Sequence, residues 1–160
     1  MILRTAWVYS PFGRNFVRTM LNAGASRARL TVVDDQVGNP TAAGDIAAAI
    51  LRVVESLSGR TPAALAGTYN LAGAGDVGWC GFAREIFRRA RANGYTPVPE
   101  VQAIPSRNWP KARPAPERFP ARLRPFRGDV RLDAPSLADQ PSGVLAELLS
   151  PAPDARPDRP

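Results

Sequence analysis

The sequence predicts an α/β protein with a partial parallel sheet and flanking helices, followed by a tail without regular structure. Short runs of β-branched and aromatic residues alternate with stretches of helical periodicity through residues 2–104. Strands that alternate with helices are typical of parallel sheets. Eleven of the seventeen prolines lie between Pro110 and Pro160, where they would interrupt any helix or central strand. We therefore expect an ordered domain over residues 1–106 and a disordered Pro/Arg-rich tail over residues 107–160.

The first part of the ordered domain is predicted to contain two strands and a helix. Residues 2–9 are rich in β-branched and aromatic side chains and stop before a Pro/Gly break, which indicates a strand. Asn15 is the predicted N-cap of the helix that follows. The apolar side of that helix is made of Phe16, Val17, Met20 and Leu21. Residues 30–33 form the second predicted strand, and we expect residues 34–41 to be a loop.

A second helix is predicted to follow Thr41, which would cap it, and to end near Gly59. Thr41 is a good helix-capping residue, and Asp45 falls in the first turn, where a carboxylate suits the helix dipole. Its expected buried stripe consists of Ile46, Ile50, Val53, Val54 and Leu57.

The remaining predicted elements are a strand, a helix and a last strand. Residues 67–71 form the strand, and an amphipathic helix runs from Trp79 to an Asn93-Gly94 stop. Residues 101–104 form the last strand. Within the tail, only residues 142–150 have the spacing of a short helix.

Charge and composition exclude several classes of function. The net charge of +7 and the pI near 10.9 raise the alternative of a basic nucleic-acid-binding protein. The arginines are scattered among fourteen acidic residues, however, and the only lysine is Lys111, so the phosphate-tracking stripe of such proteins is missing. The absence of histidine and the single cysteine, Cys80, exclude a disulfide within the chain and the usual transition-metal sites. No apolar run is long enough to span a membrane, and we expect a cytoplasmic protein.

Three segments, in order, carry the likeness to a known family. They are Arg4 to Tyr9 with Gly13 to Val17 and Met20-Leu21; Val33 to Thr41 with Asp45 to Ala47; and Gly67 to Gly75 with Trp79, Gly81 to Ala83 and Ile86-Phe87. Together they resemble the dTDP-4-dehydrorhamnose reductases, which are extended short-chain dehydrogenases. The likeness covers about residues 2–110, and it implies the carboxy-terminal, substrate-binding part of a Rossmann-like fold. A related nucleotide-sugar epimerase is a weaker alternative.

The resemblance implies a dTDP-sugar nucleotide as ligand. Trp7 would line the sugar pocket, and Asn15 would direct its amide and the helix N-terminus toward the pyrophosphate. Gln36, Gly38 and Thr41 would form a loop on the substrate side. For each of these residues a purely structural role is the alternative: a core tryptophan, a helix cap and a connecting loop.

The resemblance also implies contacts with a nicotinamide cofactor. Backbone groups of Thr5, Ala6 and Val8 would pass the carboxamide of NADPH or NADH. The chain has no glycine-rich turn for the cofactor pyrophosphate, and none of its three tyrosines has a lysine four residues later. We therefore assign no catalytic and no metal-binding residue to this chain, and we expect it not to bind the cofactor alone.

The tail departs from the family. Back-translation of residues 117–124 and 128–140 with GC-rich codons can give, one reading frame away, Asn-Gly-Ser-Arg-Leu-Asp-Cys and Gly-Thr-Phe-Gly-Trp-Thr-Pro-Pro-Ala-Trp-Arg-Thr-Ser. These strings resemble the family's ending. We hypothesise a frameshift near residues 114–117.

Three functions follow as hypotheses. The first is a fragment of an NADPH-dependent dTDP-4-dehydrorhamnose reductase, inactive alone unless a separate chain supplies the cofactor half. Its expected partners are a complementing amino-terminal half or a second copy of the chain in a homodimer. The second is a non-catalytic or regulatory protein that binds a nucleotide sugar. The third is the nucleic-acid-binding protein.

Overall fold

A computed structural model of the protein describes residues 1–57 and 66–109, together with the backbone of residues 134–136. The predicted end of the second helix near Gly59, the predicted helix at 142–150 and most of the predicted tail lie outside these described residues. Residues 134–136, within that tail, form a short strand that the sequence did not predict.

The described residues form three helices and ten short strands. The helices are α1 (Phe16–Ser26), α2 (Ala43–Leu57) and α3 (Trp79–Ala92). The strands are β1 (Ile2–Arg4), β2 (Val8–Tyr9), β3 (Arg29–Val33), β4 (Val37–Gly38), β5 (Thr41–Ala42), β6 (Thr68–Asn70), β7 (Gly73–Ala74), β8 (Val77–Gly78), β9 (Glu100–Ile104) and β10 (Ala134–Ser136). A 3-10 turn at Ser106–Asn108 follows β9.

The strands pair two by two. Within the part of the chain that the structure describes, β1–β6, β2–β5, β3–β9 and β7–β10 are parallel pairs, and β4–β8 is antiparallel. The longest pair, β3–β9, aligns five residues on each side. The predicted α/β class with parallel pairing is confirmed, while the antiparallel pair was not predicted.

Helix α3 forms the centre of the core. Its buried side chains recur at helical spacing and pack against α1, β3 and β9. They are Cys80, Phe82, Ala83, Ile86, Phe87 and Ala90. From α1, Val17 and Leu21 meet this face. The prediction that Asn93 closes the helix is confirmed, because its backbone N–H donates to carbonyls of the last turn.

Three sequence predictions about residues 2–43 were wrong. Residues 2–9 are not one strand, because the backbone turns at Trp7 between β1 and β2. The predicted loop at 34–41 contains β4 and the start of β5, each stabilised by a partner strand distant in sequence. Thr41 does not cap α2, which begins at Ala43, because Thr41 belongs to β5.

Helix α2 buries a narrower stripe than its sequence predicts. Asp45 lies in the first turn as predicted, and Ala49 and Val53 are buried. Two members of the expected stripe, Ile50 and Val54, are exposed.

A carboxylate on α3 links two arginines. Glu85 accepts two hydrogen bonds of 2.7 Å from Arg88 and one of 2.7 Å from Arg89. These hydrogen bonds from Arg88 and Arg89 lower the pKa of Glu85 from its ordinary value of 4.5 to about 2.

We expect Glu85→Gln to lower the free energy of unfolding at pH 7 by about 1 kcal/mol, a value that allows for solvent screening of these partly exposed groups. Because the folded pKa of Glu85 is depressed, its contribution is present above pH 4.5 and is lost as the pH falls toward about 2. Urea unfolding at pH 7 and at successively lower pH should therefore show the difference between wild type and variant shrinking below pH 4.5. Glu55→Gln, at an exposed position of α2, is the control. A wild-type minus Glu85→Gln difference that is independent of pH would contradict the assignment.

Candidate functional site

Trp7 marks the turn at which β1 gives way to β2. Its φ angle is 51°, the only positive value among the non-glycine residues that the structure describes. The left-handed backbone conformation costs a residue other than glycine about 1–2 kcal/mol of free energy. Surrounding contacts must therefore hold Trp7 in it. One contact is main-chain: the carbonyl oxygen of Trp7 accepts the N–H of Thr41 at 3.2 Å.

The indole of Trp7 belongs to an aromatic cluster with Trp79, Phe16, Phe82 and Tyr9. The Trp7 and Trp79 rings stack with centroids 3.5 Å apart and planes inclined by 12°. Phe16 packs on Trp79 at 4.6 Å and on Phe82 at 5.4 Å. Tyr9 meets Phe82 edge-on at 5.6 Å. Both tryptophans are half-buried, so the cluster joins the core to the surface.

The amide of Asn15 is used by the protein itself. Its Nδ2 donates to the carbonyl oxygens of Ser10 at 2.8 Å and Phe12 at 3.3 Å, and its Oδ1 accepts the N–H of Arg18 at 3.2 Å. The predicted capping role is confirmed. The amide also fixes residues 10–15 beside the N-terminus of α1.

Thr41 is fully buried, with 0% of its surface exposed. Its hydroxyl donates to the carbonyl oxygen of Asn39 and accepts the N–H of Gly73, both at 3.0 Å. Its backbone N–H also donates to the carbonyl of Trp7. Thr41 therefore links its own segment to those around residues 7 and 73, and its burial separates it from solvent. Gln36 is half-buried just before β4.

The predicted cofactor-contacting residues lie at the surface. Thr5 and Ala6 are exposed and lie between β1 and β2. Val8 is 43% exposed on β2, where it pairs with Thr41. The three residues are therefore brought together with Trp7, although by a bent segment and not by the continuous strand that the sequence predicted.

Sequence reasoning gave Trp79 only a packing role and missed its stack on Trp7. The available signal was the spacing of Trp79 and Phe82, which places both rings on one side of α3. It also missed Asn39, whose Nδ2 donates to the carbonyl of Gly75 and to Oδ1 of Asp76, both at 2.9 Å. These bonds tie the 34–41 segment to the turn before α3.

Gly78 opens α3 without a side-chain cap. A Cβ at this position would lie 2.5 Å from Oδ1 of Asp34, so the glycine leaves room for a carboxylate at the helix N-terminus. The charge of Asp34 suits the positive end of the helix dipole there. A residue from another segment thus places its carboxylate at a helix start that has no side-chain cap of its own.

Two titratable side chains, one in the aromatic cluster and one beside it, have raised pKa values. Burial, with a smaller contribution from the charge of Asp45, raises the pKa of Tyr9 to about 12. Burial likewise raises the pKa of Asp45, whose Oδ2 is buried without a hydrogen-bond partner. A phenol with the ordinary pKa of 10 is already neutral at pH 7, and the raised pKa keeps Tyr9 neutral to higher pH.

Residues 1–57 and 66–109 contain neither a metal-site cluster nor a membrane-spanning helix. Over these ranges no three histidine, cysteine, aspartate or glutamate side chains are grouped as a metal site requires. None of the helices there is both long and apolar enough to cross a bilayer.

Comparison with known proteins identifies the family. The family model described as RmlD substrate binding domain matches residues 1–132, which extends past the boundary predicted at residue 106. The dTDP-4-dehydrorhamnose reductase of Aggregatibacter actinomycetemcomitans is 40% identical over 112 residues, covering 69% of this chain and 37% of the relative. The reductase of Salmonella typhimurium is 32% identical over 151 residues, covering 94% of this chain and 50% of the relative. The chain thus spans half or less of the length of these curated relatives.

Solved structures agree with this assignment. The dTDP-4-dehydrorhamnose reductase of Bacillus anthracis in complex with NADP has a TM-score of 0.62 and 31% identity, over 73% of this chain and 37% of that one. The ortholog from Clostridium acetobutylicum gives a TM-score of 0.61 and 34% identity over the same shares. The family predicted from the three sequence segments is confirmed: the chain belongs to the RmlD substrate binding domain family.

Proposed function

We propose that this chain binds a dTDP-sugar and forms the substrate lobe of a dTDP-4-dehydrorhamnose reductase, which reduces the 4-keto group of the sugar. The observation that carries the proposal is the match of the substrate-binding family model to residues 1–132. The geometry around Trp7 supports it. The half-buried indole stacks on Trp79, and Trp79 contacts Phe16, the first residue of α1. An indole N–H donor for a sugar oxygen thus lies near a helix N-terminus, whose positive partial charges suit phosphate.

The residues on the proposed substrate side have different roles. Trp7 meets the sugar. The first turn of α1 faces the pyrophosphate, and Asn15 contributes by ordering that turn, because its own amide is engaged. Arg14, exposed just before the cap, adds positive charge. Gln36 contributes its half-buried amide, while Thr41 acts from the interior by holding the 39–41 segment in place.

The cofactor proposed for the whole reductase is NADPH, because the Bacillus anthracis relative is a complex with NADP. Bound NADPH supplies a hydride to the ketone. The residues present fit its nicotinamide end only: Thr5, Ala6 and Val8 are exposed and can offer backbone groups to the carboxamide. A pyrophosphate-binding glycine-rich turn is missing from the sequence, so we propose that this chain does not hold the cofactor by itself.

The second candidate is binding of the nucleotide sugar without chemistry. It is favoured by the lack of a lysine four residues after Tyr9, Tyr69 or Tyr95, since the reaction needs a proton donor at the ketone. Under the first candidate an amino-terminal half from another chain completes the site in the cytoplasm, since a second copy of this chain would lack the same elements. Addition of that half to this chain, with NADPH oxidation as the readout, distinguishes the two.

Calorimetric titration of the full 160-residue chain with dTDP-L-rhamnose tests the binding proposal. We expect saturable binding, and we expect Trp7→Ala to weaken it about tenfold, because the variant removes the indole that meets the sugar. Trp109→Ala is the matched control, since Trp109 is 40% exposed and lies outside the aromatic cluster. Lack of saturable binding by the wild type, or equal weakening by both substitutions, would sink the proposal.

A further inference from the structure

The indole ring of Trp7 is covered by Gly38 on one of its faces. An ideal Cβ built on Gly38 would lie 2.6 Å from Cε2 of Trp7 and 2.9 Å from both Cζ2 and Nε1. Cζ2 and Nε1 are the outer neighbours bonded to Cε2. If the Cβ lay in the plane of the ring, outside its edge, it would be closer to Cζ2 or Nε1 than to Cε2. Because Cε2 is nearest, the Gly38 backbone lies above the ring plane.

Trp79 covers the other face. Its ring lies almost parallel to that of Trp7, with centroids 3.5 Å apart. A carbon placed 2.6 Å above the same face would fall inside the layer that Trp79 fills. Gly38 and Trp79 must therefore lie on opposite sides, and the indole of Trp7 is clamped between them.

The edge of the indole remains available. In the described part of the chain, the indole N–H of Trp7 makes no hydrogen bond with the protein and is not among the buried atoms that lack a partner. This N–H therefore reaches solvent. An N–H donor at an open edge is suited to an oxygen acceptor, such as a sugar hydroxyl or a phosphate oxygen.

We propose that Gly38 and Trp79 are positioning residues, which clamp Trp7 so that its N–H edge, and not its ring face, meets an oxygen of the nucleotide sugar. The identity of that ligand rests on the proposed function. The clamp itself rests on the two ring contacts and on the left-handed backbone of Trp7, which needs such contacts to persist. Because a Cβ at residue 38 would overlap the ring, only glycine permits this position of the indole.

The first test compares Gly38→Ala with Gly44→Ala. A Cβ on Gly44 meets no atom within 4 Å, so Gly44→Ala is the matched control. The readouts are the exciton couplet that stacked indoles give in circular dichroism, and titration of the full chain with dTDP-L-rhamnose. We expect Gly38→Ala to reduce the couplet to about half and to weaken binding about tenfold. The displaced ring would lose both its stack on Trp79 and its contact with the nucleotide sugar. Gly44→Ala should change neither.

The second test uses Trp79. We expect Trp79→Ala to weaken binding of dTDP-L-rhamnose about tenfold, and Trp79→Phe to stay within about threefold of wild type, because a phenyl ring can still cover the Trp7 face. A merely structural role for Trp79 would instead make binding follow the thermal stability of the two variants.

The outcomes separate the clamp from the proposed function. An unchanged couplet in Gly38→Ala, or a reduced couplet with unchanged binding, overturns the positioning role. A reduced couplet in Gly38→Ala together with no binding by the wild type overturns the proposed function and the ligand assignment, while the clamp geometry stands.

Discussion

Phe82→Ala should lower the free energy of unfolding by about 3–5 kcal/mol, which is the usual cost of deleting a buried aromatic ring. Phe82 is 2% exposed and lies in the middle of the aromatic cluster. Its ring contacts Tyr9 and Phe16 at centroid distances of 5.6 and 5.4 Å. The vacated volume is bounded by helices α1 and α3 and cannot close without moving them. Urea unfolding followed by far-ultraviolet circular dichroism measures the loss.

The control for this prediction is Phe12→Ala. Phe12 is 73% exposed, so its removal should change stability by about 0.5 kcal/mol or less. A loss below about 1 kcal/mol for Phe82→Ala would mean that the core reorganises easily around α3, and the packing described for the cluster would be wrong.

Gly24→Val should lower the free energy of unfolding by about 2–3 kcal/mol, since buried overpacking typically costs 1–3 kcal/mol or more. A Cβ on Gly24 would lie 2.7 and 2.9 Å from two atoms of the Phe87 ring and 3.1 Å from Pro99. Phe87 is 2% exposed, so its ring has no free space to enter. The gain in helix propensity of valine over glycine, about 0.5 kcal/mol or less, is too small to compensate.

Gly44→Val is the matched control, because this glycine is also helical and its Cβ would meet no atom within 4 Å. Thermal unfolding of the two variants in parallel gives the comparison. Equal midpoints for Gly24→Val and Gly44→Val would show that α1 and α3 do not approach as closely as described.

The helices and the longer strands were predictable because their signals are local. The periodicity of the 79–93 segment gives the buried face of α3, and the asparagine at position 15 gives the start of α1. The break between β1 and β2 was hidden, since Trp7 sits in a run of β-forming residues and non-glycine residues rarely adopt positive φ. Strands β4 and β5 owe their existence to distant partners, which no local pattern records.

The candidate site was predictable in its members and not in their arrangement. Trp7 and Asn15 were chosen from a family likeness, and their contacts depend on tertiary packing. The burial of Thr41 follows from its bond to Gly73, thirty-two residues away. The need for glycine at position 38 follows from a ring that arrives from another segment. The frameshift hypothesis for the tail remains a prediction, which sequencing of the coding DNA tests.

The pairing of distant strands sets the order in which the protein can fold during its synthesis. Strand β3 pairs with β9, and Arg29 lies opposite Glu100, seventy-one residues later. At a synthesis rate of about 5–20 residues per second, β3 waits about 4–14 seconds before its partner exists. Non-local parallel pairing is also slow to form once both strands are present. The β3 edge is therefore exposed on the ribosome for seconds, and this interval is when we expect the nascent chain to need a chaperone most.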